Sequence, residues 1–297
     1  MPVVQEELEG SSMSAEHGEE DQDEASSEQH LERRTLVLQF LHSTLNLHHL
    51  QSHQRKVELL KKCYFYLEVE PKYMAVREQQ QDPHFIDIFE LIDPWQFQRM
   101  KEVGRNQIEI QLALLSELLE QLERGQKELR AYTDSCDSSP FLSGWDLVVQ
   151  RMSALAQFMQ QLMALQTPEK VYVRHCLVSP LEAQRRGATL PDIRLSLSTK
   201  LPLIFDREAS VADTKWVRLK WSSEDPASYP EQYEVYVKLL TNGMERGFSR
   251  IQLVNTNIFV VQGLEPGRLY EFTVLRPATQ TLVFQNWHDT ITLRTGT

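Results

Sequence analysis

Apolar residues recur at helical spacing through the first half of the chain. Residues 31–167 are rich in Leu, Gln, Glu, Lys, Arg and His and poor in Gly and Pro, and this composition favours helices throughout. A ragged apolar stripe predicts a first helix from Leu31 to about Cys63, which is either buried over a wide face or broken. The segment from Tyr64 to Tyr73 is interpreted as the end of this helix or as a short extended piece.

Two Asp-Pro pairs predict further helix starts. Asp is a good N-cap and Pro suits the first helical position, so Asp82-Pro83 predicts a short helix and Asp93-Pro94 a long one. The long helix carries a leucine-rich stripe that is wider than a two-stranded seam, which favours a multi-helix bundle over a free coiled coil. The stripe consists of Ile108, Leu112, Leu115, Leu119, Leu122 and Leu129, widened by Leu114 and Leu118.

A helical hairpin follows the long helix. Turn-forming residues at 133–140 end that helix, and a second arm is predicted from about Ser143 to Gln166. Trp145, Met152 and Met159 recur every seven residues on this arm. We interpret the methionines as adaptable core filling and not as ligands.

From residue 168 the apolar residues alternate with polar ones, which is typical of strands. Val171 to Val178 predicts one strand and Ile193 to Leu197 another, within a connector that docks on one or both domains. From about Lys200 the alternation continues between frequent turns, which predicts an all-β domain of seven short strands if 203–205 is the first. The inward positions are Val217, Leu219, Trp221, Tyr233, Val235, Val237, Leu239, Tyr270, Phe272, Val274, Ile291 and Leu293.

Three features of this last domain occur together in one known family. They are Trp221 in the second strand, Tyr233 at the start of the third, and the run Leu-x-Pro-Gly-x-x-Tyr at residues 264–270. In these features the segment from about 200 to 297 resembles the fibronectin type III family. The resemblance implies a β-sandwich in which the Tyr270 hydroxyl bonds a backbone group a few residues upstream. It also implies binding to other proteins through loops and sheet faces.

The negative charge of the chain is concentrated at its start. The formal charge is −11, but the first 30 residues hold ten Asp or Glu and no Lys or Arg, so the other 267 carry only −1. We expect this acidic tail to be disordered. The fold class is therefore multidomain α + β. Its parts are a disordered tail (1–30), an α-helical bundle (31–167), a connector with short strands (168–199) and a fibronectin type III-like sandwich (200–297).

Motifs for catalysis are missing from the sequence. It has no Gly-rich phosphate loop, His-Glu-x-x-His, Cys-x-x-Cys or Gly-x-Ser-x-Gly, so we expect no enzyme activity and no cofactor. His42, His49 and His53 project within about 40° of one another on a helix and could share Zn²⁺, but a solvated polar stripe is the preferred interpretation, and no metal is predicted. The near-neutral remainder predicts no nucleic-acid partner.

The sequence features that bear on localisation predict a cytoplasmic protein. The tail lacks the basic and apolar regions of a signal peptide, and no stretch approaches eighteen apolar residues, so no membrane span is expected. Cys63, Cys136 and Cys176 are odd in number and widely spaced, as in an intracellular chain.

One loop of the sandwich is unusually apolar. The connection from Pro277 to Asp289 holds Leu282, Val283, Phe284 and Trp287. Because aromatic anchors dominate protein interfaces, Phe284 and Trp287 are predicted to contact a protein partner, unless they pack on their own sheet or on the helices. The predicted function is a non-enzymatic interaction or scaffold protein. The alternatives are a metal-dependent protein or enzyme centred on the histidines, and a structural homodimer formed through the leucine-rich helices.

Overall fold

The computed structural model describes most of the chain. The described residues are 17–76, 84–134, 144–165, 177–178, 193–222, 231–241, 244–245 and 250–297. They form the helices α1 (His17–Ser43), α2 (Leu47–Leu60), α3 (Pro94–Asp134) and α4 (Trp145–Ala164). The chain divides into a helical unit, residues 1–54 and 116–165, and a β-rich unit, residues 55–115 and 166–297.

The strands of the β-rich unit belong to four antiparallel sheets. The strands before the long helix are β1 (Tyr64–Glu70), β2 (Tyr73–Val76) and β3 (His84–Asp87). The first two after it are β4 (Arg194–Lys200) and β5 (Val211–Ala212). The others are β6 (Trp216–Lys220), β7 (Tyr233–Thr241), β8 (Met244–Glu245), β9 (Arg250–Val254), β10 (Ile258–Gln262), β11 (Leu269–Leu275), β12 (Leu282–Phe284) and β13 (Thr290–Arg294). The sheet orders are β12-β1-β4, β10-β6-β5, β13-β11-β7-β8 with β9 also on β7, and β2-β3.

Part of the acidic segment that was predicted to be disordered is helical. Helix α1 begins at His17, so the prediction of disorder is wrong for residues 17–30, while residues 1–16 lie outside the described residues. Glu, Gln and Ala favour helix and no Pro interrupts this stretch. The helix that buries Val37 and Leu41 therefore extends back into the charged segment.

The first predicted helix is broken, as one of the two interpretations allowed. Helix α1 ends at Ser43 and α2 begins at Leu47, where the Asn46 side chain accepts a hydrogen bond from the His48 backbone N–H (2.8 Å). The Leu45 carbonyl, left without a helical partner by the break, accepts a hydrogen bond from the buried Gln126 amide (2.6 Å). This hydrogen bond explains why a polar residue, Gln126, lies on the apolar stripe of α3.

The stripe of α3 is buried within this one chain. Ile108, Leu115, Leu119, Leu122 and Leu129 are buried, whereas Leu114 is exposed. Asp93 caps the helix by accepting from the Trp95 N–H (2.8 Å), which confirms the start predicted at Pro94. On α4 the buried side chains are Val148, Leu155, Met159 and Leu162.

Strands interrupt the segment that was predicted to be helical throughout. Tyr64–Glu70 is the strand β1, and the short helix predicted from Pro83 is wrong, because His84–Asp87 is β3 followed by a single 3₁₀ turn at Ile88–Glu90. The aromatic and branched residues of 64–69 suit a strand, and pairing with β4 secures it. The helical domain 31–167 is therefore corrected to two helical stretches with strands between them.

The predicted connector is part of the β-rich unit. Its second strand is confirmed as β4, which pairs with β1 along all seven residues, Tyr64 to Glu70. Residues 166–176 and 179–192 lie outside the described residues, so Leu177 and Val178 are the described part of the first predicted strand, and Val178 forms a bridge with Ile92.

The sandwich has the predicted inward residues. Val217, Leu219, Trp221, Val235 and Phe272 are buried in its core, and the rings of Trp221 and Tyr233 meet edge to face with centroids 5.4 Å apart. The predicted first strand, 203–205, is reduced to a bridge between Phe205 and Trp221. The Tyr270 hydroxyl accepts a hydrogen bond from the Glu265 N–H (2.9 Å), so the tyrosine corner is confirmed.

Gly125 on α3 leaves room for the side chain of Leu155 on α4. A Cβ atom there would lie 2.3 and 2.5 Å from the two methyl carbons of Leu155, which is fully buried. Gly125→Ala will therefore destabilise the protein by about 1–3 kcal/mol, although Gly→Ala normally stabilises a helix. Chemical denaturation will measure the loss.

The matched control is Gly104→Ala on the same helix. A Cβ atom there meets Leu197 at 3.4 Å, an ordinary contact, so this variant will be neutral or up to about 1 kcal/mol more stable. Equal behaviour of the two variants would contradict the packing described for Gly125.

Candidate interaction site

The apolar loop of residues 277–289 packs on its own chain. Its strand β12 extends the β1–β4 sheet, with Phe284 opposite Phe65 and their ring centroids 6.0 Å apart. Val283 is buried in the core on that side of β1, and the Thr281 carbonyl accepts a hydrogen bond from the Leu67 N–H (2.7 Å). The apolar residues of the loop therefore serve the fold.

The second predicted partner residue also has an internal contact. The Lys62 ammonium lies 5.1 Å from the ring centroid of Trp287, a cation–π geometry. Just beyond, the buried Asp289 carboxylate accepts hydrogen bonds from Nη2 and Nη1 of Arg207 (2.8 and 3.1 Å) and from the Phe205 N–H (2.9 Å). These bonds fix the end of the loop. Phe284 and Trp287 are partly buried, and their role in binding a partner stays a prediction.

An open groove runs beside β12. It has a volume of about 520 Å³ and is lined by the five consecutive residues 282–286 on one side. The other side is formed by Arg105 and Glu109 of α3, which are ion-paired at 2.9 Å. A lining of consecutive residues means that one edge of the strand faces the groove. Phe284 therefore borders both the internal core and this surface.

A buried arginine joins the start of β1 to the sandwich. The Arg276 guanidinium is nearly inaccessible and donates to Glu231 (2.7 Å) and to the Leu201 carbonyl (2.6 Å). It also lies 4.8 Å from the ring centroid of Tyr64. Lys200 reaches the same Glu231 carboxylate at 3.0 Å. The charge of Arg276 is thus paired and hydrogen-bonded, as a buried charge must be.

This cluster sets two pKa values. Burial raises the pKa of the Tyr64 hydroxyl above its usual value, although Arg276 acts in the opposite direction. Burial also tends to raise the pKa of Glu231, but hydrogen bonds and charges from Arg276 and Lys200 outweigh it, so the net pKa is lowered. Glu231 is therefore held as a carboxylate.

The β-rich unit also exposes aromatic residues outside the predicted pair: Trp95 at the start of α3 is 86% exposed, and two more rings lie on one hairpin. Phe85 is 73% exposed and Tyr73 62% exposed, and both belong to the hairpin of β2 and β3. Tyr73 stands opposite Asp87 and Ala75 opposite Phe85, so the two rings share one face of the hairpin. Met74, on the other face, is buried. The run of apolar residues from Tyr73 to Val76 was a signal for this strand in the sequence, but the helical interpretation of residues 31–167 obscured it.

The histidines do not form the single helical stripe that the metal alternative required. The break between α1 and α2 falls between His42 and His49, so the two residues lie on different helices. His42 and His49 are exposed and His53 is partly buried. Among the described residues no group of three His, Cys, Asp or Glu side chains is placed to hold a metal ion.

Two family models together match almost the whole chain. The "Family of unknown function (DUF5581) N-terminal domain" matches residues 23–195, and the Fn3-like domain of the same family matches residues 200–297. Fibronectin type III domain-containing protein 11 from Bos taurus is 42% identical over 268 residues, which is 90% of this chain and 79% of that protein. The Homo sapiens protein of that name is 40% identical over 286 residues, 93% of this chain and 89% of its own length.

This chain belongs to the family of fibronectin type III domain-containing protein 11. Membership agrees with the resemblance found in the sequence of residues 200–297 and extends it over the helical and β1 regions. Solved structures also match about a third of this family member. The fn3 domain of human collagen alpha-1(XX) chain is 27% identical, covering 32% of this chain and 88% of that one with a TM-score of 0.24. The fibronectin type-III domain of human fibronectin type III domain containing protein 3 is 19% identical, covering 32% and 84% with a TM-score of 0.24.

Within the described ranges, no helix of this family member combines the length and apolar character that a membrane crossing requires.

The Glu231–Arg276 pair generates a prediction about pH. Because the pKa of Glu231 is lowered in the folded state, its stabilising contribution is present above the unfolded pKa, about 4.5, and is lost as the pH falls through the lower folded value. At pH 7, Glu231→Gln will cost on the order of 3 kcal/mol, because it leaves Arg276 buried without a counter-charge. Denaturant unfolding at low pH will show a smaller difference between this variant and the wild type.

Glu265→Gln is the control for this measurement. Glu265 pairs with Arg268 at the surface, where both side chains are more than half exposed. Its loss will change stability by at most about 0.5 kcal/mol at either pH. A Glu231→Gln deficit that does not shrink in acid would contradict the role given to the carboxylate.

Proposed function

We propose that this protein is a non-enzymatic protein–protein interaction protein of the cytoplasm, working as a scaffold that holds partner proteins. The observation that carries the proposal is the exposed aromatic face of the β2–β3 hairpin, formed by Tyr73 and Phe85. The Fn3-like domain supports it, since domains of this kind serve as interaction modules. Buried Cys63 is a thiol that takes no part in a disulfide, which suits a reducing compartment.

The hairpin is suited to contact because its two faces are chemically separate. One face places Met74 in the core and holds the hairpin in position, while the other presents two large rings to solvent. Aromatic side chains contribute large contact areas at low entropic cost and are enriched at the energetic centres of interfaces. Because both rings stand on paired strands, less backbone freedom is lost on binding than for rings on an unpaired segment.

The groove beside β12 adds a second surface to the proposal. Phe284 is the residue that connects the predicted loop with this groove, and Arg105 and Glu109 offer a charge of each sign on the opposite side. The partner contact predicted for Phe284 and Trp287 is proposed to use the parts of these rings that remain outside the core.

The hairpin face can be tested by removing its two rings. Tyr73→Ser/Phe85→Ser will leave folding intact, because both side chains are mostly exposed, and will weaken partner binding by about tenfold or more. Proximity labelling in cells will identify the partners, and binding to the purified partners will then be measured with both proteins. Tyr132→Ser is the matched control, because Tyr132 is an exposed ring on α3. Unchanged partners and affinities in the double variant would contradict the proposal.

The predicted loop residues are tested in the same assay. Trp287→Ala removes the ring that Lys62 covers and will reduce binding to any partner that uses the loop. Because the ring also has an internal contact, thermal unfolding must show an equally folded protein. Normal binding by a folded Trp287→Ala variant would remove this residue from the interface.

A further inference from the structure

Strand β9 lies at the edge of the five-stranded sheet. Strand β7 pairs with β11 on one side and with β8 and β9 on the other. Among the residues that the structure describes, β9 pairs with β7 alone. An edge strand presents backbone N–H and C=O groups that can pair with another strand.

The described outward positions of β9 carry aliphatic side chains and none of the usual protecting residues of such an edge. Ile251 is 58% exposed and Leu253 57% exposed, while Val254 is buried on the inward side. Edge strands are ordinarily protected by lysine, proline, bulges or a covering segment. Here the two outward positions are both aliphatic, and they stand opposite Tyr236 and Glu234 of β7. The exposed face is therefore apolar and lies on an extended strand.

The apolar pattern of β9 is symmetric about Gln252. Suppose that two such strands pair antiparallel with the Gln252 residues of the two chains opposite each other. Ile251 of each chain then stands opposite Leu253 of the other chain. Both pairs lie on the same face of the joined sheet, where cross-strand apolar contacts stabilise pairing. This is the self-complementarity that a two-fold, isologous interface requires.

We propose that a second copy of this chain docks on β9, with the two strands antiparallel and the two-fold axis at Gln252. The two five-stranded sheets then become one continuous sheet, and the four aliphatic side chains of Ile251 and Leu253 form its apolar contact. The occupant is a second copy because the pattern of the strand complements itself in a single register. The leucine stripe of α3 is not the contact, because it is already buried within one chain.

The experiment compares the self-association of purified full-length variants by sedimentation equilibrium at micromolar concentrations. The wild type will be a reversible dimer, and Ile251→Lys/Leu253→Lys will weaken it by about tenfold or more, because lysine then faces lysine across both pairs. Ile110→Lys is the control, since Ile110 is an equally exposed aliphatic residue on α3, and it will dimerise like the wild type. Thermal unfolding will show that each variant is folded.

A second variant tests the register. Gln252→Cys places the introduced thiols opposite each other at the two-fold axis, where mild oxidation will link the two chains, and mass spectrometry will identify the peptide that contains both. A strictly monomeric wild type, or a dimer that the double lysine variant leaves unchanged, overturns the proposal. A dimer that gives no link at position 252 overturns the proposed register.

Discussion

The β-rich unit depends on one strand that serves two cores. Along β1, Tyr64 and Tyr66 pack into the core of the sandwich, while Phe65, Leu67 and Val69 pack into the core that contains Val283 and the first turns of α3. Because side chains alternate along a strand, a shift of one residue in the pairing with β4 would exchange the two sets. The full-length pairing with β4 and the short pairing with β12 together hold the register. The core of the sandwich therefore includes residues of β1, which lie well before residue 200 in the chain.

The buried charges follow from the same arrangement. Where β1 begins, the sandwich must accommodate Tyr64 beside Arg276, and a buried guanidinium without partners would cost several kcal/mol. Glu231 supplies the counter-charge and Leu201 a carbonyl, so the donors of Arg276 are satisfied in the space between a strand and a sheet. Such a cluster adds little net stability, but breaking it is costly because a buried charge is then left without its partner.

Local patterns predicted the parts of the fold that local interactions determine. The Tyr270 corner, the Asp93 cap and the inward residues around Trp221 all follow from short-range sequence signals, and the structure has each of them. The sheet of β1, β4 and β12 joins segments that are far apart in the chain, so no periodicity within one segment could reveal it. The same holds for Gln126, whose place on an apolar stripe is explained only by the Leu45 carbonyl.

Residue type alone did not distinguish a core ring from a surface ring. Phe284 and Trp287 were chosen in the sequence because an apolar loop is unusual, yet pairing of β12 with β1 draws Phe284 against Phe65. Phe85 was not singled out because the residues after Pro83 were predicted to form a short helix, in which one aromatic residue is ordinary. Phe85 is exposed because it lies on the face of the β2–β3 hairpin opposite to Met74, and Met74 is on the face that packs into the core. Ile251 and Leu253 face solvent on an edge strand. In this protein the candidate contact residues are therefore found on an edge strand and on the uncovered face of a hairpin.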